Sequence, residues 1–363
     1  MRSTAPLTYV TLRRDYSPGA FRQVEEMARV AAREHLPLEC YWIRGAHSPH
    51  PKPPHVHVID VENRLGGGIG LRLAQYKAVA DLARERPHIL LRYPTADPAL
   101  LALMSQRRLI TEHHSKEIEE LELDQPGRAA LERWLGASIL RRTRGLVAVT
   151  RDILDYERAR AGGRPGLVAG NAIDIHGDGP AWLQSPWRRH APLRLLFVAS
   201  TVHPWHGLDL VLDALARTDP KRYDLHVCGS AGPEYERQAR AGGVTATFHG
   251  RLAPDALWPR YEWADAGISA FGLHRKGLAS ASSLKVREYL LAGLPVVLQG
   301  ADDAFPGGFP HVLSQPSFDL DAIASWLESR PPVTRADIRN DAAPYISMEA
   351  RIRALVDFAA STS

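Results

Sequence analysis

Short apolar runs alternate with amphipathic runs along the first half of the chain. The apolar runs are rich in β-branched residues and predict strands at Leu7–Leu12, Leu38–Ile43, Val56–Val61, Ile89–Tyr93, Leu109–Thr111, Gly145–Val149 and Leu167–Ala169. Amphipathic runs predict helices at Phe21–Arg33, Leu71–Arg86, Pro98–Met104, Arg128–Arg142 and Asp152–Ala161. This βαβα alternation is typical of a parallel sheet covered by helices on both faces.

The alternation stops at His176–Pro192, HGDGPAWLQSPWRRHAP, and then resumes. This segment is rich in Gly, Pro and Trp and has no period, so it predicts a linker. Strands are then expected at Leu193–Ala199, Asp224–Cys228, Val244–His249, Ala266–Ser269 and Val296–Leu298, with helices between them and only helices afterwards. The sequence therefore predicts an α/β protein with two doubly wound, Rossmann-like domains, residues 1–175 and 193–345, joined by the linker 176–192. Residues 346–363 predict a final helix that could cross back to the first domain.

Charge and cysteine content narrow the range of partners. Among 363 residues, Lys and Arg number 45 and Asp and Glu 41, which gives a net charge of +4. This mild excess suits acidic ligands or an anionic membrane surface, and it is too small to indicate nucleic acid. The two cysteines show no metal-ligand spacing and favour a reducing, cytoplasmic setting. Neither a secretory signal nor a membrane span is read from the sequence, so any membrane contact is expected to be peripheral, at the inner face.

The segment SLKVREYLLAGLPVVL, residues 283–298, predicts a helix, a glycine stop and a buried strand. Gly293 is expected to end the helix in a left-handed conformation, and Pro295 prevents its continuation. Lys285 and Glu288 could be a simple surface pair, and Arg287 a solvated neighbour. The preceding loop, FGLHRKG, is basic and glycine-punctuated. Together with the positive end of the helix, it could instead form a diphosphate cradle.

The pattern K-x-x-E-Y-L-x-A-G-x-P-V-V in this segment resembles the nucleotide-sugar site of retaining glycosyltransferases of family four, which have the two-domain GT-B fold. Further segments resemble the same family in the same order, namely TEHHS at 111–115, VTR at 149–151, NAID at 171–174, FVASTVHPWHGLD at 197–209, LHVCG at 225–229 and FHGR at 248–251. The resemblance implies two doubly wound domains that face each other across a cleft.

The resemblance also implies roles for individual residues. His114, Lys285 and Glu288 are the predicted catalytic residues, with Glu288 on the ribose and His114 orienting the donor sugar. The predicted donor-binding residues are Ser200, Thr201, His206, Gly207, Gly229, Arg251, Phe271, Gly272, Arg275, Lys276, Ser283, Leu284, Lys285 and Glu288. Two positions depart from the family pattern. Ser280 stands where the family has a first glutamate, and Thr201 and His206 stand near its Arg and Lys.

The first domain is the predicted acceptor side. The glycine-rich loop Arg64–Gly70 could contact a phosphate through Gly67 and Gly68, although a plain loop is the simpler interpretation. His113 is a second acceptor-side candidate, and a capping or solvated histidine is its alternative. Asp319-Leu-Asp321 has the form of a metal-binding motif, but helix capping explains it better, so no metal is expected.

The resemblance predicts a glycosyltransferase that moves a sugar from a UDP- or GDP-linked donor to a glycan or a lipid-linked glycan, and it alone implies retention at the anomeric carbon. No cofactor is expected beyond the nucleotide sugar itself. Two alternatives remain open. The chain could be a GT-B nucleotide-sugar epimerase, or a binder of nucleotide sugars without catalytic activity.

Overall fold

The computed structural model describes residues 5–13, 18–46, 52–63, 66–177 and 180–362. The chain divides into two compact units. The first unit comprises Met1–Gly170 and Met348–Ser363, and the second comprises Asn171–Ser347. Across the described ranges, no helix has the length and apolar character needed to cross a membrane.

The first unit contains a seven-stranded sheet in which all strand pairs are parallel. Its strands are β1 (Leu7–Leu12), β2 (Leu38–Gly45), β3 (Val56–Val61), β4 (Ile89–Arg92), β5 (Ile110–His113), β6 (Gly145–Ala148) and β7 (Gly166–Val168). Its helices are α1 (Pro18–Arg33), α2 (Gly67–Glu85), α3 (Pro98–Gln106), α4 (Glu117–Asp124), α5 (Pro126–Leu140), α6 (Arg151–Arg160) and, from the end of the chain, α13 (Met348–Ser361). The strand order is β3-β2-β1-β4-β5-β6-β7, so the winding direction reverses between β1 and β4.

The second unit contains a six-stranded parallel sheet with the order β10-β9-β8-β11-β12-β13. Its strands are β8 (Leu193–Thr201), β9 (Tyr223–Ser230), β10 (Ala246–Phe248), β11 (Ala266–Ile268), β12 (Val296–Gln299) and β13 (Val312–Gln315). Its helices are α7 (Leu208–Leu215), α8 (Pro233–Ala241), α9 (Pro254–Trp263), α10 (Leu284–Leu291), α11 (Leu320–Glu328) and α12 (Arg335–Ile346). The order reverses between β8 and β11, as in the first sheet.

Central strands are buried along their whole length, which explains why they appear as continuous apolar runs. All six residues of β1 are buried, as are the three residues of β11. Parallel strands covered by helices on both faces have this pattern. The α/β class predicted from the alternation of apolar and amphipathic runs is therefore confirmed.

Two elements differ from the sequence-based expectation. Helix α4 was not predicted, and its sequence EIEELELD is so acidic that it shows little apolar periodicity. Strand β13 lies in a stretch for which only helices were expected. Its sequence VLSQ is too short and polar to signal a strand, and it forms as the edge strand paired with β12.

The described part of the predicted linker packs in the second unit. Trp187 is buried, and its indole donates a hydrogen bond to the carbonyl oxygen of Asp265 at 3.1 Å. The buried carboxylate of Asp265 also makes a hydrogen bond of 2.6 Å with the Nδ1 atom of His190. Asp178 and Gly179 lie outside the described residues. The segment 180–192 is thus anchored by side-chain contacts, which its Gly, Pro and Trp content did not indicate.

Candidate active site

Two loops of the second unit meet at the carboxyl ends of β8 and β11. The amide of Phe271 donates to the carbonyl oxygen of His206 at 3.0 Å. Gly207 has φ 69°, and a Cβ atom at this position would lie 2.5 Å from the amide nitrogen of Gly272. A side chain at residue 207 would therefore separate the loops. Both glycines belong to the predicted donor-binding set, and the structure brings them together.

Helix α10 begins beside these loops, directly after Ser283. Ser283 is the N-cap residue, yet its side chain makes no capping hydrogen bond to the described residues. The hydroxyl of Ser282 accepts a hydrogen bond from the amide of Asn171 at 2.7 Å. The helix ends at Leu291, and Gly293 shortly after it has a φ of 64°, which confirms the predicted left-handed stop. Its start therefore presents backbone donors and the positive end of the helix dipole.

Lys285, in the first turn of α10, is buried with no carboxylate of the described residues in ion-pair contact. Its Nζ atom lies 4.5 Å from the ring centroid of Phe197. This Nζ atom has no hydrogen-bond partner in the described part of the chain. Burial lowers the pKa of Lys285 from 10.5 to about 7, against the attraction of Glu288. A buried ammonium group without a partner is costly and points to an anionic ligand that is not part of the chain.

Further polar groups surround this ammonium group. Lys276 is buried, with its Nζ atom 4.4 Å from the ring centroid of Trp205. Burial and the repulsion of Lys285 lower the pKa of His206 to about 2, so its ring is neutral near pH 7. The Nδ1 atom of His206 accepts a hydrogen bond from the amide of His203 at 3.1 Å. The proton of the neutral ring therefore lies on Nε2, which can donate to an anion.

Two other cations of this region are already neutralised. Arg275 makes a bidentate ion pair with Asp209, at 2.9 and 2.6 Å, and also donates to the carbonyl oxygen of Pro204 at 2.6 Å. These bonds connect Arg275 to the loop after β8 and to the start of α7. Because Asp209 already balances its charge, Arg275 is not available as the phosphate ligand expected from the sequence. Arg287 is fully buried and bonds both carboxylate oxygens of Asp302. The interpretation of Arg287 as a solvated neighbour was therefore wrong.

The remaining predicted donor-binding residues lie at or just after the carboxyl ends of neighbouring strands. Ser200 and Thr201 end β8, Gly229 lies near the end of β9, and Arg251 is exposed shortly after β10. Leu284 opens α10, and the half-buried Glu288 lies one turn after Lys285. Phe271 differs from these, because its side chain packs in the core against Phe318 at 5.4 Å between ring centroids. Only the backbone of Phe271 is therefore placed to serve a ligand.

In the first unit, His114 directly follows β5 and is held by a buried carboxylate. Oε2 of Glu112 accepts hydrogen bonds from the Tyr9 hydroxyl at 2.6 Å and from Nε2 of His114 at 3.0 Å. Arg351, on α13, donates to the second oxygen of Glu112. Burial opposes ionisation of Glu112, but His114 and Arg351 hold its pKa well below the usual value. Burial and the repulsion of Arg92 lower the pKa of His114 to about 4.

These contacts select one tautomer of His114. An ionised carboxylate only accepts hydrogen bonds, so the proton of the neutral imidazole lies on Nε2. The Nδ1 atom then carries a lone pair, and the side chain of His114 keeps 19% of its surface exposed. His114 can therefore accept a hydrogen bond from a hydroxyl group, and it is not a general acid near pH 7.

His113 points away from this cluster, because successive side chains of a strand alternate between its faces. It is fully buried, its ring centroid lies 4.6 Å from that of the tilted Tyr93 ring, and its Nε2 atom lies 3.1 Å from the hydroxyl of Thr111. Burial and the repulsion of Arg160 lower its pKa to about 3. The acceptor-side role expected for His113 is therefore not supported, because its ring belongs to the core.

The remaining candidates from the sequence that the structure describes lie at the starts of two helices. Gly67 and Gly68 form the exposed first turn of α2, while Arg64, from the same glycine-rich segment, lies outside the described residues. Asp319 accepts a hydrogen bond from the amide of Ala322 at 3.1 Å and caps α11, as predicted. Glu112 was not predicted as the partner of His114, nor were Tyr9 and Arg351 predicted as the partners of Glu112. The position of Glu112 next to the two histidines was the one signal in the sequence for its contact with His114. The contact between Glu112 and Arg351 gave no signal, because the two residues are 239 positions apart.

Comparison with known proteins identifies the enzyme class that the chain resembles. The family model described as Glycosyl transferases group 1 matches residues 192–322, which include the β8 and β11 loops and α10. No curated protein sequence matches the chain.

Several solved structures share the fold of the whole chain at low sequence identity. Anabaena HepE, in complex with UDP and glucose, is 18% identical with a TM-score of 0.67 over 98% of this chain and 100% of that one. A glycosyltransferase from Rickettsia africae is 11% identical, with a TM-score of 0.63 and 98% of each chain covered. The pneumococcal O-GlcNAc transferase GtfA, in complex with UDP and GlcNAc, is 10% identical, with a TM-score of 0.61 over 98% of this chain and 99% of that one.

The GT-B fold expected from the sequence is therefore confirmed, together with the transferase assignment. The chain has the GT-B fold and is assigned as a glycosyltransferase, and its residues 192–322 match the glycosyl transferases group 1 model.

Proposed function

We propose that the second unit binds a nucleotide-diphosphate sugar, with the diphosphate at the start of α10. The observation that carries this proposal is the ammonium group of Lys285, which is buried and lacks a hydrogen-bond partner among the described residues. A diphosphate supplies the missing negative charge. Lys276, Nε2–H of His206 and the first amides of α10 add further donors beside it. Negative charge grows on the diphosphate as the glycosidic bond breaks, so these fixed donors lower the barrier.

Glu288 is proposed to accept hydrogen bonds from the ribose hydroxyls, as the resemblance to family-four enzymes implies. It lies one turn after Lys285 on the same helix, so a nucleotide whose diphosphate meets Lys285 can extend toward it. Ser280 stands in place of the first family glutamate. Its hydroxyl lies 3.5 Å from a carboxylate oxygen of Asp303, which could supply an acidic group there.

Uracil is the base we propose for the donor. The Anabaena HepE structure holds UDP and glucose, and the pneumococcal GtfA structure holds UDP and GlcNAc. A GDP-linked sugar is the alternative. The proposed acceptor is a glycan or a lipid-linked glycan, in the cytoplasm or at the inner face of its membrane. Retention, by same-face attack in which the leaving phosphate helps to take the acceptor proton, rests on the family resemblance.

His114 is proposed to orient the donor sugar from the first unit. Support comes from its chemistry, since the neutral ring offers the Nδ1 lone pair to a sugar hydroxyl. Glu112, Tyr9 and Arg351 are then positioning residues that fix this tautomer. The acceptor-side role of Gly67 and Gly68 stays a prediction from the sequence.

Calorimetric titration of the full chain with UDP-glucose, UDP-GlcNAc and GDP-mannose tests donor binding. Glu288→Ala should abolish binding and leave the thermal unfolding transition in place, because its side chain is half-buried. Glu234→Ala, an exposed carboxylate on α8, is the matched control. Unchanged donor affinity in Glu288→Ala would rule out the ribose assignment.

Turnover separates the three functional hypotheses. Release of nucleotide that increases with added acceptor supports the transferase. Conversion of the donor sugar to its epimer, without an acceptor, supports the epimerase. Binding of a donor with no turnover across a panel of glycan and lipid-linked acceptors supports a binding protein.

A further inference from the structure

Another group of cations lies in the first unit, at the carboxyl ends of β1 and β4. Arg13 directly follows β1, and Arg92 is the last residue of β4. These two strands are hydrogen-bonded neighbours, and the winding direction of the sheet reverses between them. Open parallel sheets bind ligands in the crevice at such a reversal. The two arginines therefore lie where the topology favours a ligand site.

Helix α2 fixes both strand ends. Its Gln75 donates to the carbonyl oxygen of Arg13 at 2.9 Å and to that of Ile43 at 3.2 Å. Arg72, one turn earlier on the helix, donates to the carbonyl oxygen of Pro94, just after β4. The backbone on both sides of the crevice is thus held by side chains of one helix, which provides a preorganised site.

The positive charge of this region exceeds the negative charge that contacts it. Arg72 pairs with Asp97 at 3.5 Å, and Asp97 also caps α3 and accepts from the Tyr76 hydroxyl at 2.7 Å. Arg92 donates to the neutral side chain of Gln23 at 3.3 Å. Glu120 attracts Arg13 and Glu112 attracts Arg92, but neither arginine is within ion-pair distance of a carboxylate in the described ranges.

The excess of positive charge has its clearest effect on Arg13. Its Nε atom is buried and has no hydrogen-bond partner in the part of the chain that the structure describes. Burial and the repulsion of Arg92 lower the pKa of its guanidinium group to about 10. An anion with several acceptor oxygens would satisfy the buried Nε–H and offset the repulsion between the two arginines.

We propose that Arg13 and Arg92 bind a phosphoryl group carried by the acceptor. Guanidinium groups match phosphate oxygens in geometry, and two of them suit a dianion better than a single carboxylate. That the anion belongs to the acceptor rests on the function proposed above. The anion site itself rests only on the first unit. The acceptor class would then be a sugar phosphate, a phosphorylated glycan or a phospholipid-linked glycan.

Phosphorus NMR titration of the full chain with inorganic phosphate, at constant ionic strength, tests the site. Arg13→Gln and Arg92→Gln should each weaken phosphate binding at least about tenfold. Arg84→Gln, which removes an exposed arginine paired with Asp81 on α2, is the matched control and should bind as the parent does. Lys285→Met should lose any binding at the donor site and keep this one. Thermal unfolding of each variant checks that the fold is retained.

Two outcomes would overturn the proposal. One is the absence of phosphate binding in the parent chain, and the other is binding that disappears in Lys285→Met but persists in both arginine variants. Failure of the proposed function is distinguishable, because it would appear as lost nucleotide-sugar binding with phosphate binding to the arginines intact.

Vesicles of phosphatidylcholine, with and without phosphatidylglycerol, separate the sources of the phosphoryl group. Arginine-dependent binding to the phosphatidylglycerol vesicles as well as to free phosphate assigns a lipid-borne group. Arginine-dependent binding to free phosphate alone assigns a group on a soluble acceptor.

Discussion

The two units bury charged side chains at the same end of their sheets, but they neutralise them differently. In the first unit, Glu112 is surrounded by Arg351, Tyr9 and His114, and both of its carboxylate oxygens accept hydrogen bonds. In the second unit, Lys285 is also buried, its ammonium group lies over the ring of Phe197, and it lacks a hydrogen-bond partner among the described residues.

Burial of a charge is therefore not a sufficient sign of a ligand site. The charge of Glu112 is balanced without a ligand, although Nη1 of Arg351 has no hydrogen-bond partner among the described residues, and the role of the carboxylate is to orient His114. The environment of Lys285 is incomplete, and an anion would complete it. The comparison shows that the missing counter-charge, and not the depth of burial, distinguishes a binding group from a positioning group.

The largest expected effect follows from breaking the complete cluster. Arg351→Met leaves the Glu112 carboxylate buried without its cation, so the free energy of unfolding should fall by about 3–5 kcal/mol. Urea unfolding monitored by circular dichroism measures this loss. The double variant Arg351→Met/Glu112→Gln should recover part of it, because the uncompensated charge is gone.

Arg353→Met is the control for that experiment. Arg353 lies on the same helix and pairs with Glu349 at 2.8 Å on an exposed face. Its loss should have no measurable effect on unfolding. If Arg351→Met lowers the free energy of unfolding as little as Arg353→Met does, the ion pair between Arg351 and Glu112 does not stabilise the fold.

Lys285→Met should stabilise the fold, in contrast to Arg351→Met, and should greatly weaken donor binding. Replacing an unpaired buried ammonium group by an apolar side chain of similar length should raise the free energy of unfolding, by about 1–3 kcal/mol. Nucleotide-sugar affinity should fall by about a hundredfold, measured by calorimetry. Lys221→Met, at an exposed position of the same unit, should change neither property. Unchanged affinity in Lys285→Met would remove the basis for the proposed donor site.

The pH dependence of stability provides a third test of the comparison. The pKa of Lys285 in the folded chain, about 7, lies below its ordinary value of 10.5. Between these values the unfolded chain holds more protons, so this group makes stability rise with pH, by at most about 1.4 kcal/mol per pH unit. The stability difference between Lys285→Met and the parent chain should therefore shrink from pH 7.5 to pH 9. A difference that is constant with pH would contradict the lowered pKa.

The smallest expected effect concerns two helix starts of the second unit. The side chain of Asp319 caps α11, whereas the side chain of Ser283 makes no capping hydrogen bond to the described residues at the start of α10. Asp319→Ala should lower the free energy of unfolding by about 1 kcal/mol, and Ser283→Ala by only a few tenths. Ser283→Ala should instead weaken donor binding if its hydroxyl meets the diphosphate. Equal losses of stability in the two variants would show that Ser283 is an ordinary cap.

Much of the fold could be predicted because its signals are local. The strands of both sheets appear as short apolar runs, and the stop at Gly293 follows from the residue types near it. Strand β13 could not be predicted, since its four residues are ordered by pairing with β12. The candidate site was predictable in its location, namely the loops after β8 and β11 and the start of α10, because the motif segments lie there.

The sequence by itself determined that two sheets of alternating strands and helices form, and that SLKVREYLLAGLPVVL is a helix, a stop and a strand. Periodicity, glycine and proline act within a few residues, so a linear sequence carries this information. Only the tertiary structure decided which cations of that helix are available to a ligand. Arg287 is neutralised by Asp302, whereas Lys285 has no hydrogen-bond partner in the part of the chain that is described, and Arg351 contacts Glu112 from 239 residues away. Counter-charges are brought together by chain topology, and sequence spacing does not indicate them.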